Sequence, residues 1–277
     1  MANPAERYYR MRRLVKDIEN KVGKIKNNRR YVVYTAIINN FDELLDPVIV
    51  SSDIDYICFT DNKNLHSKVW EIIYISFKYK THRRLAKIFK VLPHLFFHNY
   101  DLSIWVDASV DIRGDLSDFI NNFTIGEKIT CFKHARRNCL YSEADVCIIK
   151  KYDDIALIKQ QVLKYKKNNY PILNGLIWGA ILIRDHNDLN IINGMEEWWH
   201  EIENHSVRDQ ISFNYVIWKQ NIKLNYLPIS MLDNPFFAYV GHKKVNNKIK
   251  HKLLYMIFGN DWVRKKYRLI KYIKNYF

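Results

Sequence analysis

Ser103-Ile-Trp-Val-Asp-Ala-Ser-Val-Asp-Ile112 is the stretch from which the rest of the chain can be read. The run LSIWV (102–106) is apolar throughout, as a strand buried on both faces is, and it stops abruptly on Asp107. Asp111, Asp115 and Asp118 follow within a few residues. In open α/β sheets, ligands gather at the carboxyl ends of strands. Carboxylates placed there suit a hard divalent cation such as Mg2+ or Mn2+, which bridges phosphate oxygens. The same acids also suit a loop that caps the next helix.

Working outward, the neighbouring segments have the same grammar. YVVYTAIIN (31–39) is β-branched and nearly continuous, and IDYICFTD (54–61) and VWEIIYI (69–75) read as further strands. THRRLAKIFKVLPHLFF (81–97) predicts a helix opened by Thr81 and disturbed at Pro93. In the second half, KITCF (128–132), LIWGAILIR (176–184) and KLNYLP (223–228) predict strands. Tyr141–Lys167, Asp188–Glu203 and Val207–Lys219 predict helices. Residues 7–26 place apolar side chains at three- and four-residue spacing, an amphipathic helix with a basic outer face. Strands alternating with helices predict an α/β sandwich around a mainly parallel sheet.

The chain has 277 residues and a formal net charge of +15, but the charge is not spread evenly. Residues 1–30 hold 10 basic and 3 acidic residues, and 243–277 hold 11 basic residues and one acid, Asp261. The body, 31–242, is close to neutral. This distribution argues against a nucleic-acid-binding domain, since no recognition motif accompanies the basic ends. In 250–277, Trp, Leu, Ile and Phe alternate with Lys and Arg, a pattern that fits an anionic membrane surface or a helix packed on the domain.

Hydrophobic residues at 48% and aromatics at 14% exclude a disordered chain. No apolar run reaches the ~18 residues needed to span a bilayer, and the N-terminus does not read as a secretory signal. The compartment expected is therefore the cytoplasm, with peripheral attachment at the inner membrane face. Four Cys make no disulfide framework, and Cys131, His134, Cys139 and Cys147 match no zinc spacing. With neither GxGxxG nor a P-loop in the sequence, dinucleotide oxidoreductases and P-loop kinases lose their main signals.

Other polar groups fall at corresponding strand ends. Thr35, Asn39 and Asn40 follow the first strand and Thr60-Asp61 the second. Arg83 and Lys87 share a helix face beside Arg84, either to meet a diphosphate or as a solvated surface. Asn174-Gly-Leu-Ile-Trp-Gly179 combines glycines that permit close backbone approach to a ligand with Asn174 and Trp178. The other reading is a core strand relieved by glycine. Arg208-Asp-Gln210 opens a helix, so Asp209 is either a cap or a reacting group.

YTAIINNFDEL, DYICFTDN, HRRLAKIFKVLPH, SIWVDASVDI, FKHARRNCLYSEA and VRDQISFNYVIW occur in an order that resembles a glycosyltransferase-like family. That family, long a domain of unknown function, includes plant mucilage-related hexosyltransferases and bacterial capsule or lipopolysaccharide proteins. The resemblance covers about 31–242 and leaves the basic ends, 1–30 and 243–277, outside it. It implies a single GT-A-like domain, a Rossmann-like α/β/α sandwich, with a UDP-linked nucleotide-sugar donor and bound Mn2+ or Mg2+. The acceptor implied is a glycan or a lipid-linked glycan in cell-surface polysaccharide synthesis.

By the same resemblance, Thr35, Ala36 and Asp61 lie near the nucleoside, and Arg84 and Lys87 near the diphosphate. Asn174, Gly175 and Trp178 lie near the sugar. Asp107 occupies the first position of a DxD metal motif whose second acid is replaced by Ser109. Asp111 then substitutes, or Ser109 acts through water, or no metal is needed. His242 resembles a late histidine ligand. Asp209 and Gln210 point at the reacting sugar, as base, nucleophile or transition-state stabiliser, and Glu143 is a second candidate base. The rival reading is a module that binds nucleotide or glycan without turnover, with Ser109 as its support.

Overall fold

The structure, a computed structural model, describes residues 4–25 and 30–242. The amphipathic tail expected over 243–277 lies outside the described residues. The chain opens with α1 (Pro4–Ile25), followed by β1 (Tyr31–Ile37), β2 (Ile54–Thr60) and β3 (Glu71–Tyr74). Helix α2 (His82–Val91) and a 3-10 turn at Pro93–Leu95 lead to β4 (Leu102–Val106), β5 (Val110–Ile112) and α3 (Leu116–Phe123). Then come β6 (Ile129–Lys133), α4 (Leu140–Ile149), α5 (Ile155–Lys167), β7 (Ile177–Arg184), α6 (Leu189–Asn204) and α7 (Asp209–Lys219). Short strands β8 (Asn225–Tyr226) and β9 (Phe237–Tyr239) close the described chain.

The central sheet has the order β3-β2-β1-β4-β7-β6-β8. Only β7 runs against its neighbours, pairing antiparallel with both β4 and β6. This is the mainly parallel α/β sandwich expected of a GT-A-like domain. One face of the sheet packs on α1, α2 and α4–α7 through a core that includes Ile18, Tyr34, Phe89, Trp105 and Trp198. The other face packs on α3 and the small β5–β9 sheet through Val33, Ile104, Phe119 and Phe237. β2 and β4 are buried along their whole length, which is why their sequences do not alternate.

Several local expectations hold. The Thr81 side chain accepts from the Arg84 amide at the start of α2, and the α-helix stops two residues before Pro93. The helix expected over 141–167 is interrupted. Lys151 adopts φ +51, and Asp154 caps a second helix by accepting from the amides of Ala156 and Leu157. The small sheet was not legible, because β5 and β9 lie far apart in sequence and pair over only three positions.

Three features set the functional edge. β1, β2 and β4 run parallel, so Thr35, Thr60 and Asp107 come to the same end of the sheet. β7 runs the other way, so its beginning, Ile177 and Trp178, lies at that end too. The β6–β7 register jumps from Cys131↔Leu182 to Phe132↔Trp178, so the intervening Gly179–Ile181 have no β6 partner, while Asp107 N–H donates to the Ala180 carbonyl at 2.8 Å.

Candidate active site

Asp107 follows the last residue of β4, and its Oδ1 accepts from Trp105 Nε1 at 2.6 Å. Lys90, on the buried face of α2, brings its Nζ to 3.4 Å from the same oxygen and 2.6 Å from Asp209 Oδ2. Lys87, one turn earlier, donates to Asp209 Oδ2 at 2.7 Å. Two carboxylates and two ammonium groups thus form one chain, Lys87–Asp209–Lys90–Asp107. Asp209 and Lys90 are almost fully buried.

Burial alone would raise the Asp209 carboxyl, but Lys87, Lys90 and Arg208 hold it far below the usual carboxylate range. Burial pulls Lys87 down to about 8, against the attraction of Asp209. Burial also opposes the charge on Lys90, and Asp107 and Asp209 together carry it above the ordinary lysine value. Asp209 sits in the first turn of α7, and its side chain is turned to the lysines.

Around this chain lie further cations. Arg208 packs its guanidinium 5.0 Å from the Tyr152 ring centroid, and Arg83 donates to the Tyr152 carbonyl at 2.9 Å. Arg208 Nε is buried and has no hydrogen-bond partner among the described residues. Glu143 is enclosed by Arg137, at 2.6 Å, and Arg208, at 3.6 Å, with the Cys147 thiol donating to it at 3.5 Å. The Cys147 thiol is itself pushed up to about 11 by burial.

The remaining expected residues divide into those near Asp107 and those engaged elsewhere. His242 Nδ1–H donates to Asp42, 3.0 Å from Oδ2, and that bond raises its pKa against burial, with Asp107 adding to the field. Gln210 Nε2 donates to the Ile177 carbonyl, tying α7 to the start of β7. Trp178 stacks on His134 and meets Tyr239 edge-on with centroids 5.7 Å apart. Thr35, one residue before Ala36 in β1, is buried with its hydroxyl unpartnered among the described residues. Asp61 accepts from the Asn39 amide in the left-handed turn after β1. Asn174 lies beside Tyr170, and Gly175 adopts φ +79 beneath the Tyr226 hydroxyl.

Arg84 lies apart from Lys87. Its guanidinium donates to the carbonyls of Ile202 and His205 at the end of α6, because it lies on the face of α2 that packs against that helix. Asp111 is paired with Arg113 Nε at 3.1 Å, within the β5–β9 sheet. Ser109 is buried in the turn after Asp107, with its carbonyl accepting from Val240. Asp107, Asp111 and His242 are not a compact ligand set. Among the described residues, the one group of three His, Cys, Asp or Glu with ligand atoms within 4.8 Å of one another is Glu197, His200 and Glu201 on α6. Its two glutamates are held by Lys219 and Lys164.

Asp107 and His242 would offer an oxygen and a nitrogen donor to a divalent cation. With Asp42 on Nδ1, Nε2 would be the ligand atom, as in the carboxylate–histidine arrangement that orients metal-binding imidazoles. Asp111 does not join it. Sequence reading passed over Lys90 and Asp42. The signal for Lys90 was a lysine between Phe89 and Val91 on the apolar side of a helix, three residues after Lys87.

Residues 10–251 match the family model of the TOD1/MUCI70 glycosyltransferase-like domain. The chain belongs to that family. Within it, the probable hexosyltransferase MUCI70 of Arabidopsis thaliana is 25% identical over 240 residues, covering 76% of this chain and 41% of that protein. The chain thus spans about two-fifths of the length of its plant relative. Among solved structures, the apo form of WbbM, a bifunctional glycosyltransferase, has a TM-score of 0.49 at 10% identity, over 74% of this chain and 39% of that one. The apo form of mouse xyloside xylosyltransferase 1 has 0.42 at 8%, over 72% and 84%. The TOD1/MUCI70 match takes in most of α1 as well as the sheet. No helix among the described residues is long and apolar enough to cross a membrane.

Proposed function

We propose that this protein is a glycosyltransferase that moves a hexosyl group from a nucleotide-sugar donor, UDP-linked, to a hydroxyl of a glycan or lipid-linked acceptor in cell-surface polysaccharide synthesis. The observation that carries this reading is the buried chain Lys87–Asp209–Lys90–Asp107 at the carboxyl end of β4, in a domain of the TOD1/MUCI70 family. In the reaction, the acceptor oxygen bonds to the anomeric carbon as the bond from that carbon to the diphosphate oxygen breaks. The electron pair leaves with the nucleoside diphosphate, and the acceptor proton passes to solvent or to the departing phosphate.

Lys87, Arg83 and Arg208 supply positive charge for that departing group. Asp209 is not the base in this scheme. A carboxylate held by two ammonium groups is too weakly basic, so its part is to place Lys87 and Lys90 and to stabilise positive charge at the anomeric carbon. Asp107 and His242 would hold Mn2+ or Mg2+, which when bound screens the diphosphate charge.

The test is incubation of the purified protein with a panel of UDP-sugars, with and without Mn2+, reading release of UDP and thermal shift. UDP release that falls in Asp107→Ala supports the whole reading. UDP-dependent stabilisation with no turnover across sugars and acceptors would replace it with the non-catalytic module, which the exchange of the second motif acid for Ser109 favours.

A further inference from the structure

The segment 149–173 has a surface that the transfer chemistry does not use. The exposed positions of α5 are 155, 156, 159, 160, 163, 166 and 167, one continuous helix face. That face presents Ile155 and Leu163 to solvent, the latter 57% exposed. The chain entering α5 exposes Ile149 at 78%, and the chain leaving it exposes Ile172 at 74% and Leu173 at 64%. Large aliphatic side chains this open, concentrated on one helix and its two flanks, mark an interaction surface.

The charges on the same segment are mostly basic. Lys150, Lys151, Lys159, Lys166 and Lys167 are exposed. The two acids have structural roles: Asp153 accepts from Ser206 Oγ and the Val207 amide, and Asp154, exposed, caps α5. α5 itself contains no Asp or Glu.

We propose that this face docks on an anionic lipid bilayer, with Ile149, Leu163, Ile172 and Leu173 entering the headgroup boundary and the lysines meeting lipid phosphates. Long lysine stems lie along apolar surface while their ammonium groups reach outward, which is the chemistry of an interfacial helix. Charge complementarity selects the occupant. A second copy related by two-fold symmetry would set the lysines of α5 against those of its mate, and a soluble acidic partner would leave the aliphatic groups unexplained.

Position adds a consequence. Leu173 is followed directly by Asn174 and Gly175, which lead into β7, whose first carbonyl holds Gln210. A bilayer on this face would lie beside the strand that enters the site.

The experiment is co-sedimentation of the full-length chain with vesicles of phosphatidylcholine alone or mixed with phosphatidylglycerol. Two variants accompany it, Leu163→Asp/Ile172→Asp/Leu173→Asp and Lys159→Glu/Lys166→Glu/Lys167→Glu. Binding to the anionic vesicles that weakens with added salt, and that drops at least about tenfold in each variant, is the expected result. All substituted positions are exposed; a thermal melt checks folding, and the lysine variant carries the test if the aspartate variant is unstable. Binding within about twofold of the parent in a folded variant would overturn the proposal and assign attachment to the terminus. So would equal binding to neutral vesicles, no binding at all, or a parent dimer that the aspartate variant splits in sedimentation velocity.

Discussion

Asp209 is the residue on which most of the site depends. Its carboxylate receives Lys87 at 2.7 Å and Lys90 at 2.6 Å, 5% exposed, so its removal leaves two ammonium groups without an adequate counter-ion. Breaking a buried pair on one side costs about 3–5 kcal/mol. Asp209→Asn is expected to lose that stability in denaturant melts and to lower transfer by about two to three orders of magnitude. Adding Lys87→Met should return part of the stability and none of the activity. Lys87 makes a second prediction. It is charged below about 8 and neutral above, because burial draws it down. If its charge steadies the leaving diphosphate, kcat/KM falls as pH rises through about 8. Lys87→Arg, charged throughout, removes that limb, whereas a parent profile flat through this range would contradict the role. None of this was legible from spacing alone. Lys87 and Asp209 are 122 residues apart, and a lysine in an amphipathic helix reads equally as a solvated surface.

At the scale of elements, the two glycines of NGLIWG do different work. Gly175 has φ +79, and a Cβ there would meet the Tyr226 hydroxyl at 2.6 Å. Gly175→Ala is expected to cost about 1–3 kcal/mol through the left-handed backbone and the contact together. A Cβ at Gly179 would instead meet Gln210 Cγ at 3.5 Å and Lys90 Nζ at 3.6 Å, ordinary contacts. Gly179→Ala should therefore leave the melting temperature nearly unchanged while narrowing the approach to Lys90, seen as a raised donor KM. The motif was visible in the sequence as a glycine-rich strand entry, but a positive φ and a β-bulge are set by pairing partners. The β6–β7 register jump that leaves Gly179 without a β6 partner depends on which strand lies on each side of β7. The same limit hid the β5–β9 sheet, in which Asp111 is ion-paired to Arg113.

In the whole molecule, α1 joins the core that underlies the site. Leu14, Ile18 and Val22 are buried in the cluster that contains Tyr34, Phe89 and Trp105. Ile18, fully buried, should cost about 2–5 kcal/mol when cut to Ala, measured as a lower denaturation midpoint. A loss near zero would show that α1 does not stabilise the fold. The basic outer face of this helix accounts for part of the +15 net charge without requiring a nucleic acid. The family match from residue 10 includes most of α1.

By itself the sequence determined the alternation of strands and helices, the acid at the end of β4 and membership of a glycosyltransferase-like family. These depend on local periodicity, helix caps and motif order, all written along the chain. Only the tertiary structure decided that Lys90 would join Asp107 to Asp209, that Arg84 would turn to α6 and that Asp111 would pair with Arg113. A charged side chain goes to whichever partner best offsets its desolvation, and the fold chooses that partner across long stretches of sequence.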